Sequence, residues 1–267
     1  MEITVDDLKI SYRIFGEGEE TAVLLQGWGT TYSIYESIAN ILSEKMRVVF
    51  FDFPGFGDSE EPKEAWGVSE FSDFFLDLMK ALDIKHATLF GHSFGGRVII
   101  KLSSNKCHYF APERADEVPD FSIDRIVLID AAGIKAPLSK EQQKKIKRYK
   151  RLKKFYSNKL VYALFQKQID AWKSHQGSED YRNASPMMRQ CMVKAINEDL
   201  TKYLPFVTEE VLLVWGENDT ATPLKDGQLM EKEMPDAGLA LIHNAGHFSF
   251  VEQPVIFENI MRSYFKM

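Results

Sequence analysis

Apolar residues along this chain fall into two alternating kinds of run. Short blocks rich in β-branched and aromatic residues predict strands at Lys9–Phe15, Ala22–Leu25, Arg47–Phe51, Ala87–Phe90, Arg125–Ile129, Val211–Trp215 and Leu239–Ile242. Between them, apolar positions recur every three or four residues. Tyr35, Ile38, Ala39 and Leu42 mark a helix over Tyr32–Leu42. Phe71, Phe74, Phe75 and Leu78 mark another over Ser69–Leu82, with Ser69 as its N-cap. Further helices are predicted over Phe94–Ser103 and from Pro254 to Phe265. Arg125–Ile129 and Val211–Trp215 are nearly continuous in apolar residues, as strands buried on both faces tend to be. Strands alternating with helices specify an α/β fold, a mostly parallel sheet with helices on both faces.

One stretch breaks the alternation. From 133 to 206 the periodicity is helical and no strand is predicted, so the chain reads as a core of residues 1–132 and 207–267 with an inserted helical cap. Asn105–Ser122, with two prolines and several acids, reads as a surface loop. Inside the insertion, Ile146, Tyr149, Leu152, Phe155 or Tyr156 and Leu160 recur at helical spacing among lysines and arginines. Lys140–Lys159 holds ten Lys or Arg and one acid, a net +9, whereas the remainder has 23 basic and 38 acidic residues, a net −15. The pattern predicts a solvated cationic face over a core-facing stripe; attraction of an anionic substrate or contact with an anionic membrane surface are the alternatives. An acidic body argues against general nucleic-acid binding.

At 267 residues, 45% hydrophobic and 27% charged, the composition is that of a folded globular chain. Two cysteines, Cys107 and Cys191, cannot build a disulfide framework, and no Cys/His cluster suggests a metal. No signal peptide and no apolar run of transmembrane length is visible, so the expectation is a soluble, cytoplasmic protein of undetermined oligomeric state. A phosphate-binding loop is excluded at Gly91–Gly96, because Arg97-Val98 stands where Lys-Ser/Thr is required; Gly55-Phe-Gly57 lacks the third glycine of a dinucleotide fingerprint. Neither a cofactor nor a metal is therefore expected.

The chemistry concentrates in three loops. Gly91-His92-Ser93-Phe94-Gly95 follows one predicted strand and opens a helix, the strand–turn–helix setting of a nucleophile elbow. A serine hydroxyl is a weak nucleophile without a base, and a base needs an orienting acid. In the chain order Ser, Asp, His, the candidates are Asp219 in Gly216-Glu-Asn-Asp and His247 in Asn244-Ala-Gly-His, each just past a strand. Asp130 is the rival acid, since it ends the strand Arg125–Ile129. The remaining histidines read as structural: His86 precedes its strand, His92 packs beneath the serine, His108 and His175 lie in insertions, and His243 still belongs to a strand.

On these motifs, together with Asp52-Phe-Pro-Gly-Phe-Gly-Asp-Ser59 and Gly216-Glu-Asn-Asp-Thr-Ala-Thr-Pro223, the chain resembles the α/β-hydrolase superfamily over nearly its whole length, in the capped, serine esterase-like branch. The resemblance implies Ser93 as nucleophile, His247 as base and Asp219 as orienting acid. It places the oxyanion hole at the backbone N–H groups of Phe94 and Trp28. Many members carry His-Gly where this chain has Gln26-Gly27, which leaves open how the loop is held. The Asp52–Ser59 turn carries no catalytic role. The resemblance further implies a small-molecule ester or acyl substrate, with C–C bond hydrolysis, a lyase step or a non-enzymatic ligand receptor as alternatives. Arg97 resembles an arginine that the menaquinone-pathway synthase of this fold carries after its elbow, which makes it a substrate-binding candidate against a buried structural pairing. Phe165 and Trp172 are candidates from the insertion, where Tyr149, Phe155, Tyr162, Met187 and Met188 add apolar surface.

Overall fold

In the computed structural model, residues 1–135, 140–156, 165–167 and 179–267 are described. Tyr162, Trp172 and His175 lie outside them. Two compact units divide the chain: Met1–Ile134 with Pro186–Met267, and Lys135–Ser185.

Among the described residues of the first unit, eight strands form one sheet in the order β1-β2-β4-β3-β5-β6-β7-β8. They are β1 (Glu2–Val5), β2 (Leu8–Phe15), β3 (Glu20–Leu25), β4 (Met46–Phe51), β5 (His86–His92), β6 (Ser122–Ile129), β7 (Val211–Gly216) and β8 (Ala237–Ile242). The pairs β1–β2 and β2–β4 are antiparallel and the remaining ones parallel. The helices of this unit are α1 (Glu36–Leu42), α2 (Val68–Ala81) and α3 (Phe94–Ser104) before the insertion.

Both faces of the sheet are covered, which is why its strands read as unbroken apolar runs. Ala22, Leu24, Val48, Phe50, Val127 and Ile129 pack with Ile38, Ala39 and Leu42 of α1 on one face. The interleaved residues Val23, Val49, Phe51, Ile126 and Leu128 are equally buried, with Phe51 against Phe75 of α2.

The departures from expectation are local. Helix α2 begins at Val68 with Gly67, not Ser69, as N-cap, because the Glu70 carboxylate accepts the Gly67 N–H at 2.9 Å. Tyr32–Leu42 divides into a 3₁₀ turn, Tyr32–Ile34, and α1. His86 is the first residue of β5, and His243 sits in a turn past β8 beside Glu217, not in the strand. The short antiparallel β1 is an eighth strand beyond the seven that the sequence pattern predicts. Loop 105–122 is anchored: Asp73 of α2 accepts the N–H groups of Phe110 and Ala111, and Asp77 takes Arg114 in a two-pronged ion pair.

The second unit enters the chain between β6 and β7, with helix α4 (Lys140–Tyr156) and the short α5 (Glu179–Asn183) among its described residues. The boundary differs from the expected 133–206. Helix α6 (Pro186–Asn197) belongs to the first unit, because Met188, Cys191, Met192 and Ala195 are buried there and Cys191 Sγ accepts the N–H of Trp66. The chain then closes with α7 (Leu224–Glu233), α8 (Ser249–Glu252) and α9 (Pro254–Phe265).

Close backbone approach favours glycine at position 95. A Cβ at Gly95 would lie 2.1 Å from the carbonyl oxygen of Leu25 in β3, whereas one at Gly238 would meet nothing within 4 Å. Gly95→Ala is expected to lower the unfolding free energy by about 1–3 kcal/mol in urea titrations. Gly238→Ala should leave it nearly unchanged.

Candidate active site

Three loops at the carboxyl ends of β5, β7 and β8 meet at one point, where open α/β sheets bind ligands. Ser93 forms the turn between β5 and α3 with φ 50° and ψ −107°, a conformation that side-chain-bearing residues rarely adopt. Its N–H donates to Ile129 O at 3.1 Å, and its carbonyl accepts from Ala132 N at 2.9 Å. The turn is thus pinned to the end of β6 from both sides. Glycines 91, 95 and 96 make room, since a Cβ at any of them would come within 2.6 Å of a neighbouring atom.

Ser93 Oγ lies 3.0 Å from His247 Nε2, and His247 Nδ1 lies 2.8 Å from Asp219 Oδ2. An ionised carboxylate only accepts hydrogen bonds, so Nδ1 carries the imidazole proton and Nε2 is left to accept from the serine. Asp219 is buried, which alone would raise its pKa. Hydrogen bonds from His247, the Thr222 hydroxyl and the Thr222 N–H outweigh burial and hold it below the usual carboxylate range. Thr222 Oγ1 also stands 3.0 Å from Asp130 O and 3.2 Å from His247 Nδ1.

Asp130 is not a partner of His247. Its Oδ1 accepts the Gly216 N–H at 2.8 Å, and its Oδ2 accepts from Ser249 Oγ at 2.6 Å and Ser249 N at 3.1 Å. It therefore clamps the end of β7 to the start of α8, on either side of the loops bearing Asp219 and His247. Burial raises its pKa to about 7 against those three bonds.

The loop after β3 is held by groups the sequence reading did not assign. Gln26, fully buried, donates from Nε2 to Thr30 O at 2.6 Å and accepts the Phe53 N–H on Oε1 at 3.3 Å. Its amide thus closes the loop on itself and ties it to the segment after β4. The Gly27 N–H donates to the Tyr35 hydroxyl at 2.7 Å, and that hydroxyl lies 3.0 Å from His92 Nδ1. His92 Nε2 lies 2.8 Å from the His247 carbonyl. A carbonyl can only accept, so Nε2 bears the proton and Nδ1 receives the Tyr35 hydroxyl. Burial, with His247 nearby, lowers the His92 pKa to about 3, so the ring stays neutral. The Glu252 carboxylate accepts Gly246 N at 2.8 Å and Phe248 N at 3.3 Å, fixing the backbone on both sides of His247. Tyr35, Glu252 and Ser249 carry no motif: Tyr35 and Ser249 pair across 57 and 119 residues, beyond the reach of local spacing, and Glu252 reaches back only to nearby backbone, which no side-chain pattern marks.

Among the described residues, the backbone N–H groups of Trp28 and Phe94 have no hydrogen-bond acceptor. The Phe94 N–H opens α3, where helix N–H groups are unpaired and the local field is positive. The Trp28 ring packs edge-on against Phe94 at 5.1 Å and Phe56 at 4.9 Å. Arg97, in contrast, is buried, and its Nη1 donates to the carbonyls of Ala195 at 2.9 Å and Glu198 at 2.6 Å, capping the C-terminus of α6. Burial lowers its pKa to about 10. Both cysteines are buried with thiol pKa values raised, that of Cys107 to about 12. Phe165 is exposed in the second unit. No group of three His, Cys, Asp or Glu suited to a metal occurs among the described residues, and no described helix is long and apolar enough to cross a membrane.

This sheet and this serine elbow are those of the α/β hydrolases, and residues 22–254 match the alpha/beta hydrolase fold family; the chain belongs to it. It is 24% identical to 3-oxoadipate enol-lactonase 2 of Acinetobacter baylyi, covering 99% of this chain and 96% of that protein. It is 23% identical to 2-hydroxy-6-oxononadienedioate/2-hydroxy-6-oxononatrienedioate hydrolase 1 of Pseudomonas putida, covering 97% and 92%. The crystal structure of the enol-lactonase from Burkholderia xenovorans superposes with a TM-score of 0.70 at 22% identity, over all of both chains.

Two variants test the packing of this site. Tyr35→Phe leaves the buried Gly27 N–H without its acceptor and is expected to cost about 1–3 kcal/mol in urea unfolding. For Asp130, the folded-state pKa lies above the unfolded one. Its contribution is complete below about pH 4 and is lost as pH rises towards about 7. Between pH 4 and 8 the wild-type unfolding free energy should therefore fall relative to that of Asp130→Asn by on the order of 1–3 kcal/mol. Parallel pH profiles for the two proteins would contradict this account.

Proposed function

We propose that the protein is a cofactor-independent serine hydrolase that cleaves a carboxylic ester or related acyl bond. The observation that carries this reading is the hydrogen-bonded series Ser93–His247–Asp219 beside two unpaired backbone N–H groups. Ser93 Oγ attacks the substrate carbonyl while His247 Nε2 takes its proton. Asp219 holds the imidazole in the required tautomer and stabilises the cation that forms. The N–H groups of Phe94 and Trp28 receive the oxyanion. His247 returns its proton to the leaving alcohol, then activates water to release the acid from Ser93. The aromatic cluster of Trp28, Phe56 and Phe94, next to the two N–H groups, suits an apolar acyl or alkyl group. Phe165 and Trp172 in the insertion are proposed to tune chain-length preference, and Arg97 to support the fold. C–C bond hydrolysis is the second reading, because the same triad serves it and a relative named for such a substrate aligns over nearly the whole chain.

A fluorophosphonate probe is expected to label Ser93, and Ser93→Ala to abolish both labelling and turnover of p-nitrophenyl esters. Asp219→Asn should lower kcat about 10⁴-fold through the wrong imidazole tautomer, while Asp130→Asn has a far smaller effect. Near-normal ester turnover by Ser93→Ala would sink the proposal. Turnover of a vinylogous diketone but of no ester would select the second reading.

A further inference from the structure

Helix α4 does not present the surface that its sequence predicts. Its apolar stripe was expected to face a core, yet Ile146 is 37% exposed, Tyr149 37% and Phe155 58%, while Leu152 and Tyr156 are partly buried. At about 100° per residue, Leu152 and Tyr156 mark the middle of the stripe. Ile146 and Phe155 fall on its two opposite edges. The exposed residues Lys144, Lys147, Lys150, Arg151 and Lys154 fill one arc of about 120° between those edges, and exposed Arg148 falls about 20° past Phe155 on the apolar side. The helix therefore offers a cationic band bordered on each side by an exposed apolar side chain.

We infer that α4 is a docking surface for an anionic lipid bilayer. Cations alone would suit any polyanion. The bordering apolar groups favour a partner with acidic headgroups and an apolar layer directly beneath them, and a bilayer surface is such a partner. With Lys140–Lys159 at +9 and the remainder at −15, an anionic surface attracts this segment and repels the rest. The helix lies on the surface and does not span it, since no described helix is long and apolar enough to cross. The inference is independent of the chemistry at Ser93.

Flotation of the full-length protein with lipid vesicles tests it. Binding is expected to vesicles of phosphatidylcholine with 30% phosphatidylserine, and not to phosphatidylcholine alone, falling at least tenfold when NaCl rises from about 50 to 500 mM, as screening requires. The triple variant Lys147→Glu, Lys150→Glu, Arg151→Glu should lose at least tenfold in binding while keeping wild-type turnover of a soluble p-nitrophenyl ester and the wild-type Tm. Ile146→Ser with Phe155→Ser should weaken binding yet keep its salt dependence. No binding to anionic vesicles, or equal binding by the triple variant, overturns the proposal. So does retention on heparin without vesicle binding, or a concentration-dependent dimer that the triple variant abolishes. The first of these would assign the helix to a soluble polyanion, and the second to another copy of the chain.

Discussion

Everything at the site depends on one strained turn. Ser93 holds a left-handed backbone that the chain adopts only because both of its peptide groups are spoken for by the end of β6. A residue held in so sparsely populated a region costs on the order of 1–3 kcal/mol, and neighbouring contacts must over-determine it. Here they do: the sheet fixes β5 and β6 side by side, and three glycines let the helix and strand close to within backbone contact. Relaxing the turn would swing Oγ away from His247 and break the alignment of the remaining loops.

The other loops are fixed by a different device, buried polar groups that each bridge two segments. Asp130 joins β7 to α8, Thr222 lies beside Asp219, His247 and the Asp130 carbonyl, and His92 connects the Tyr35 hydroxyl to the His247 backbone. Each is a junction that water cannot replace, so losing one member strands another inside the protein. His247 is consequently held at its ring by Asp219, at its carbonyl by His92 and through its flanking N–H groups by Glu252. Little conformational freedom remains to be lost when a substrate binds.

Much of this was legible in the sequence because it follows from local chemistry. Apolar runs located seven of the eight strands, and the glycine-flanked serine, the acid-bearing turn and Gly246-His247 announced themselves by position after those strands. What escaped depends on weak local signals or on contacts between distant segments. The strand Glu2–Val5 is short and half polar and gains its pairing only from Leu8–Phe15. Helix α6 carried the same periodicity as the rest of the insertion. The burial of Met188 and Cys191 against the loop around Gly55 and Trp66, with the bond from Arg97 to the Ala195 carbonyl, places it with the sheet-bearing unit. Gln26 looked like a departure from the family's His-Gly. Its amide, with one donor and one acceptor in use, closes the loop by itself.

The carbonyl of Gly133, just before the chain leaves the sheet-bearing unit, accepts the N–H of Leu200, just after α6 brings it back. This bond works as a clasp: it closes the departure and return points independently of what lies between them. For a closed loop, the entropic penalty grows only with the logarithm of its length, about 0.6 kcal/mol per doubling. Residues 135–185 can therefore be lengthened, shortened or exchanged by recombination at small thermodynamic cost, while the clasp shields the serine turn from the exchange. The fold in this way separates the part of the chain free to evolve from the part that must not move.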